Sequence, residues 1–409
     1  MSKRILCLLL VAAVSAACFA CGGNEISETQ SDTPYSAAES NQEPAEPSAL
    51  SEIEFSEVSD FPVSEESTED SSEPEESSEE PVISEEPTSS EEPVSSEEPV
   101  SEPSEESSEV SETSEPVSGE KPHMVNGFLV YQGRAMEQFG GTSKSGVLTA
   151  EVMNAFRQKV GEGVRVYAMP VPLACTFYSP AGYEKNYEHM KDCFCGLRDA
   201  LDGVFFVDTI AALEPHADEL IYARTDHHWF ARGAYYAAQA FCKTADAGFD
   251  PLDSFSEYSF DGFLGSCYSS YKVDELKKYP ETFYWYEPTR EYTAHYFDQK
   301  FKTEKSSGSI FSTAKSYVKF IKGDGYAVRI DSDVQTGRKL LVIKDSFGNA
   351  LAPFLIAGFE QVFIVDLRYY EGNVLTLIEE NGITDVMLAL SAFSIASSKR
   401  DNITRLTKN

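Results

Sequence analysis

The chain has 409 residues and only six histidines, yet two of these are adjacent, in Thr225-Asp226-His227-His228-Trp229-Phe230. A neutral imidazole beside a carboxylate is the usual way to build a general base, or a metal site. Asp226 and His228 are two apart, so in an extended segment they project to the same side. Asp226 can then accept from one ring nitrogen of His228 and fix its tautomer, while the other nitrogen faces a hydroxyl. Trp229 is placed to pack beside that ring and exclude water. The hydroxyl can come from a second stretch, Val342-Ile343-Lys344-Asp345-Ser346-Phe347-Gly348-Asn349. Ser346 follows an apolar strand and precedes a helix, whose first N–H groups can stabilise an oxyanion. Two plainer readings stand beside these. Asp226 caps a helix and leaves the histidines on a solvated turn, or Asp345 or Ser346 caps the helix after it.

These residues need elements to hold them, and the pattern from residue 121 onward supplies an α/β domain with a mostly parallel sheet. Asn126-Gly127-Phe128-Leu129-Val130-Tyr131 reads as a turn and strand, and residues 151–160 as a helix on the spacing of Val152, Phe156 and Val160. A strand over 164–172, a helix over 183–201, a buried strand over 203–208 and a helix over 210–220 follow. The Ala-rich segment 231–244 is a helix directly after the histidines. Residues 245–338, rich in aromatics and turn formers, read as short strands and loops inserted in the domain. The clear pattern then returns, with strands over 339–344, 361–366 and 384–390 and helices over 349–358 and 373–381. Apolar strands alternating with helices imply a parallel sheet covered on both faces. Ligands bind such sheets beyond the carboxyl ends of the strands, where Ser346, Asp366-Leu367-Arg368 and the loop after Leu390 fall.

The rest of the chain is a different material. Lys3 and Arg4, an apolar run from Ile5 to Val14 and a small-residue end predict a signal peptide over 1–20. Its closing cysteines resemble a bacterial lipoprotein signal, with Cys21 as the lipidated residue and Cys18 as the alternative. Residues 24–120 hold 32 Asp and Glu and no Lys or Arg, with Ser-Glu-Glu-Pro starting at Ser84, Ser90 and Ser96. Such a chain buries too little apolar surface to offset its ordering entropy, so 21–120 reads as a disordered spacer. Fully stretched, it would span on the order of 300 Å. The spacer also accounts for the net charge of −35: after residue 120, 31 Lys and Arg face 36 Asp and Glu, a balance of −5. With no basic stripe, no nucleic-acid partner is expected. The five cysteines of the 121–409 domain, Cys175, Cys193, Cys195, Cys242 and Cys267, read as free buried thiols, although Cys193-Phe194-Cys195 leaves a disulfide or metal hint.

Asp226-His227-His228-Trp229, followed by Phe230-Ala231-Arg232-Gly233-Ala234-Tyr235, resembles the signature of the bacterial DHHW protein family. More broadly, Asp-x-His-Trp early and Asp-Ser-Phe late resemble the alginate O-acetyltransferases of the AlgJ/AlgX type, whose catalytic domain is SGNH-hydrolase-like. Asn126-Gly127-Phe128-Leu129, Met169-Pro170-Val171-Pro172, Phe263-Leu264-Gly265-Ser266 and Asp366-Leu367-Arg368-Tyr369-Tyr370 extend the likeness over about 125–395. The resemblance implies an SGNH-like three-layer domain with Ser346 as nucleophile, His228 as general base and Asp226 as its orienting partner. His227 fills the variable position of the motif. Arg368, Asn349, Trp229 and Tyr369 are the residues expected at the substrate or oxyanion side. Lys344 departs from the pattern, since many SGNH blocks have Gly before Asp-Ser.

The expected activity is that of a lipid-anchored O-acyltransferase or esterase on the outer face of a bacterial membrane. It would act on carbohydrate or a cell-wall polymer, need no cofactor or metal, and have room for a membrane partner that hands over acyl groups. Tyr178, Trp285 and Tyr369 could stack on sugar rings. Two alternatives are an inactive glycan-binding module and a DHH-type metal-dependent phosphoesterase. The latter needs further ligands, and Asp331-Ser332-Asp333 is the one short Asp pair near a strand.

Overall fold

Leu340, Leu341, Val342 and Ile343 are apolar in succession, so their strand is stable only with both faces covered. In the computed structural model, which describes residues 120–408, all four are fully buried at the centre of an eight-stranded sheet. The signal and spacer expected over 1–20 and 21–120, including Cys18 and Cys21, lie outside the described residues, apart from Glu120.

Among the described residues, thirteen strands form in chain order. β1 (His123–Val125), β2 (Phe128–Tyr131) and β3 (Arg134–Glu137) make a small antiparallel sheet. β4 (Arg165–Val171) and β5 (Phe205–Phe206) belong to the large sheet, and β6 (Ser256–Phe263) and β7 (Glu281–Glu287) form a separate hairpin. β8 (Tyr292–Phe297), β9 (Glu304–Gly308), β10 (Ala327–Ser332), β11 (Lys339–Lys344), β12 (Gln361–Asp366) and β13 (Asp385–Ser391) complete the large sheet. Its order is β5-β4-β13-β11-β12-β10-β8-β9. The first five strands run parallel and the last three antiparallel.

The antiparallel half corrects the reading of 245–338 as inserted short strands and loops: three of its strands, β8, β9 and β10, extend the main sheet. β8 and β10 are half polar: His295 meets Glu304 and Asp331 on one face, while Ala294 and Tyr296 are buried on the other. That alternation is the mark of a strand with one solvated face, and it is weaker than the continuous apolar runs of β11 to β13. The expected buried strand over 203–208 shrinks to β5, two residues at the sheet edge with Phe205 half exposed.

Helices follow the same division. Lys185–Ala200, Ala231–Ala245 and Val374–Asn381 lie close to their expected bounds. The helix expected over 151–160 begins earlier, at Ser143, from a capping box between Thr142 and Ser145. Its first turn reads poorly because Gly146 is a weak helix former, but a side chain there would strike the Cys193 carbonyl of the crossing Lys185–Ala200 helix. The expected 210–220 helix stops at Leu213 and continues as a single 3₁₀ turn, Glu214–His216. After Ser346 comes a 3₁₀ turn, Ser346–Leu351, then a short helix Ala352–Leu355, in place of one helix over 349–358. Pro353 removes a donor and disfavours helical geometry before it, which divides the segment. All five cysteines among the described residues are free thiols, and Cys195 alone is not fully buried. Among the described residues no helix is long and apolar enough to cross a membrane.

Candidate functional site

The site forms at the carboxyl ends of β11, β12 and β13, where a loop carrying the two histidines meets the turn carrying Ser346. That loop is pinned from several sides. A bridge between Tyr222 and Trp229 closes its base, and the Phe230 N–H donates to the Ile221 carbonyl at 2.9 Å. The Glu281 carboxylate on β7 accepts from the backbone N–H of Arg224 and Thr225 and from the Thr225 hydroxyl, all within 3.0 Å. Arg134 on β3 donates to the carbonyls of Tyr222 and Ala223. Two separate strands, β3 and β7, therefore fix one bend.

Within the bend, Asp226 Oδ1 accepts from the His228 backbone N–H at 2.9 Å and lies 2.7 Å from His228 Nδ1. Its other oxygen accepts from the Ser266 N–H at 2.8 Å. The segment is a bend closed on its own carboxylate, not the extended stretch the two-residue spacing suggested. Asp226 is also no helix cap, since the following helix is entered from Phe230. Burial alone would raise the Asp226 carboxyl, but the His228 ring and its hydrogen bonds hold it well below the usual carboxylate range.

His228 Nε2 lies 2.8 Å from Ser346 Oγ. The ring is sandwiched: Tyr317 stacks on one face with centroids 3.8 Å apart and planes 1° from parallel, and His227 covers the other at 3.8 Å. The Tyr317 hydroxyl and Trp229 Nε1 both donate to the Phe347 carbonyl, at 3.1 and 2.9 Å. The residue after Ser346 is thereby tied to both segments that hold His228. Trp229 is fully buried with its one donor spent, so its expected place at the substrate side is corrected to an internal tie.

The capping reading of Asp345-Ser346 applies to Asp345 alone. Its Oδ1 accepts from the Phe347 N–H, and its Oδ2 accepts from the Ser391 N–H and the Ser394 hydroxyl at the end of β13. Ser346 is left with its hydroxyl toward His228.

Lys344, where the resemblance expected glycine, is buried beneath this turn. Its Nζ lies 2.7 Å from Asp324 and 2.8 Å from Asp366, its register partner on β12. Arg368 binds the same two carboxylates through Nη2, both at 2.8 Å, and Asp366 again through Nε. Asn349 Nδ2 donates to Asp324 at 2.9 Å. Two cations and two carboxylates thus neutralise one another. Burial pulls the Lys344 ammonium down, but the two carboxylates raise it more. The expected oxyanion role of Asn349 is corrected: it is buried, and its amide N–H donates to Asp324. Arg368, 22% exposed in its side chain, keeps an edge at the rim with Tyr369, whose ring lies under the guanidinium. Tyr178 and Trp285 are covered by Arg134 and Lys319.

Asp226, His227 and His228 could also hold a metal, since their ligand atoms lie within 4.8 Å of one another. Both Nδ1 atoms are engaged, however, His227 by Ser266 Oγ at 2.6 Å and His228 by Asp226. Asp331 pairs with Gln361 at the start of β12, the end of the sheet opposite Ser346, and Asp333 follows with Arg290. The extra ligands of the phosphoesterase reading are therefore far from the histidines, and that reading is set aside.

Tyr317, Asp324, Ser266 and Glu281 were not foreseen as site residues. Only Ser266 lay in a stretch that the family resemblance singled out.

Two substitutions test this construction. A Cβ at Gly265 would lie 2.3 Å from the Asp226 Cβ. Gly265→Ala should therefore displace the carboxylate while the protein stays folded, and a crystal structure with the 2.7 Å contact intact would refute the tie. Asp366→Ala leaves buried Lys344 short of a partner and should cost about 3–5 kcal/mol. Denaturant melts with an unchanged midpoint would show that the charge network contributes nothing.

Two solved structures share the architecture. A DHHW family protein from Eubacterium siraeum is 36% identical, with 70% of this chain and 98% of that one covered, at a TM-score of 0.66. Bacillus cereus PatB1, solved with a sulfonyl adduct, is 19% identical over 69% of this chain and 97% of its own, with a TM-score of 0.55, and shares the fold. The O-acetyltransferase domain of Pseudomonas putida AlgJ is 15% identical over 69% and 93%, with a TM-score of 0.37. No curated protein matches the chain. Residues 203–365, which hold both the paired histidines and Ser346, match the DHHW protein family, and the chain belongs to that family.

Proposed function

We propose that this protein is a serine-dependent O-acyltransferase or esterase, with Ser346 as nucleophile, His228 as general base and Asp226 as the group that orients it. The observation that carries the reading is the continuous path Asp226 Oδ1–His228 Nδ1, 2.7 Å, and His228 Nε2–Ser346 Oγ, 2.8 Å. As Ser346 Oγ attacks an acyl carbonyl, its proton passes to His228 Nε2. Asp226, ionised through the ordinary pH range, stabilises the imidazolium. The Ser346 backbone N–H, at the first position of its turn, is the donor beside the developing oxyanion. His228 then gives its proton to the leaving alkoxide, and an acyl-Ser346 ester remains. Water or an alcohol resolves that ester by the reverse path.

Several features support the acyl class. The motif pair resembles that of O-acetyltransferases, and PatB1, which shares the fold, was obtained as a sulfonyl adduct. Sulfonyl groups react with activated nucleophiles, a property expected of Ser346. We assign the substrate to the carbohydrate of the cell envelope, with Arg368 and Tyr369 at the rim of the cleft. Cys21 is the proposed lipidation site, with Cys18 as the alternative, and residues 21–120 tether the domain outside the membrane. A membrane partner that supplies acyl groups belongs to the same reading.

The test is direct. The full chain should release acetate from p-nitrophenyl acetate, and Ser346→Ala should lower kcat by about 10⁴-fold or more. Asp226→Asn should retain folding and lose a large part of the rate. Turnover in Ser346→Ala equal to that of the unaltered protein would remove Ser346 from the chemistry.

A further inference from the structure

The triad leaves one imidazole of the signature unused. His227 lies against His228, ring centroids 3.8 Å apart and planes 37° from parallel, on the face opposite Tyr317. Its Nδ1 is 2.6 Å from Ser266 Oγ, and its backbone N–H reaches the same oxygen at 3.5 Å. The edges of Tyr271 and Phe347 hold the ring from the sides, each with centroids 6.0 Å away. The ring is therefore fixed, and no protein hydrogen bond engages its Nε2 among the described residues. Its side chain is 19% exposed, against 8% for His228. His227 is thus the more open of the two imidazoles beside the nucleophile.

The two rings are also aligned. Their Nδ1 atoms lie 3.8 and 2.7 Å from the same Asp226 oxygen. Burial, and then the neighbouring His228, lower the His227 pKa, so it stays neutral while its neighbour takes and returns a proton. A neutral imidazole with Nδ1 held by Ser266 offers one hydrogen-bonding position at Nε2. With ring centroids 3.8 Å apart, the two imidazoles are close enough to serve neighbouring hydroxyls of one sugar ring.

We propose that His227 positions the acceptor: its Nε2 hydrogen-bonds one hydroxyl of a vicinal diol while the adjacent hydroxyl attacks acyl-Ser346. This rests on the acyl-serine reading above. In the transfer step the attacking oxygen forms a bond to the acyl carbon and gives its proton to His228 Nε2. The bond from that carbon to Ser346 Oγ breaks, and Oγ recovers the proton. Water can take the same path but has no second hydroxyl for His227. The residue therefore sets the balance of transfer against hydrolysis.

The partition of the acyl-enzyme tests this, because the ratio of products is independent of how much protein is folded. The full chain is acylated with p-nitrophenyl acetate in the presence of ethylene glycol or ethanol, and acetyl ester and acetate are measured. The unaltered protein should favour ethylene glycol. His227→Ala should lower the ester-to-acetate ratio for ethylene glycol by about tenfold, to the level of ethanol, and His227→Gln should retain part of the preference. An unchanged ratio in His227→Ala, or an equal loss for both alcohols, overturns the inference and leaves the nucleophile standing. Absence of acetyl-Ser346 in the unaltered protein overturns both.

Discussion

The site depends on a single carboxylate held in place by backbone. Asp226 accepts three N–H groups, from His228 twice and from Ser266 once, within 2.9 Å. A buried carboxylate is stable only with such donors. Here the donors come from His228 and from a loop forty residues later. The buried charge is satisfied and the His228 ring is placed by the same bonds. Glu281 and Arg134 repeat the principle one layer out, clamping the backbone of the loop itself.

The second constraint is the Phe347 carbonyl. It receives Trp229 and Tyr317 together, so the turn bearing Ser346 is locked to the segments on either side of His228. Tyr317, whose hydroxyl is pushed well above its usual pKa by burial, remains a donor throughout. Below the turn, Lys344 with Asp324, Asp366 and Arg368 places balanced charge where the resemblance expected glycine. Ser346 therefore sits above a buried, balanced ionic cluster.

How much of this was legible depends on range. Asp226 and His228 are close in sequence, and Ser346 follows an apolar strand, so residue type and local pattern indicated both. The parallel strands around β11 were equally plain, because each is apolar throughout. Residues 245–338 were opaque because β8 and β10 are half polar and because Tyr317 and Asp324 act only through distant contacts. Trp229 and Asn349 were expected at the substrate or oxyanion side on the family resemblance. Their bonds to Phe347 and Asp324 depend on tertiary approach, which no local pattern encodes.

The central claim is that Ser346 is an activated nucleophile served by His228. Mass spectrometry of the full chain after exposure to a sulfonyl fluoride tests it most directly. The account predicts a single covalent adduct on Ser346, with labelling strongly reduced in His228→Ala. Labelling elsewhere, or equal labelling of Ser346 without His228, would contradict it.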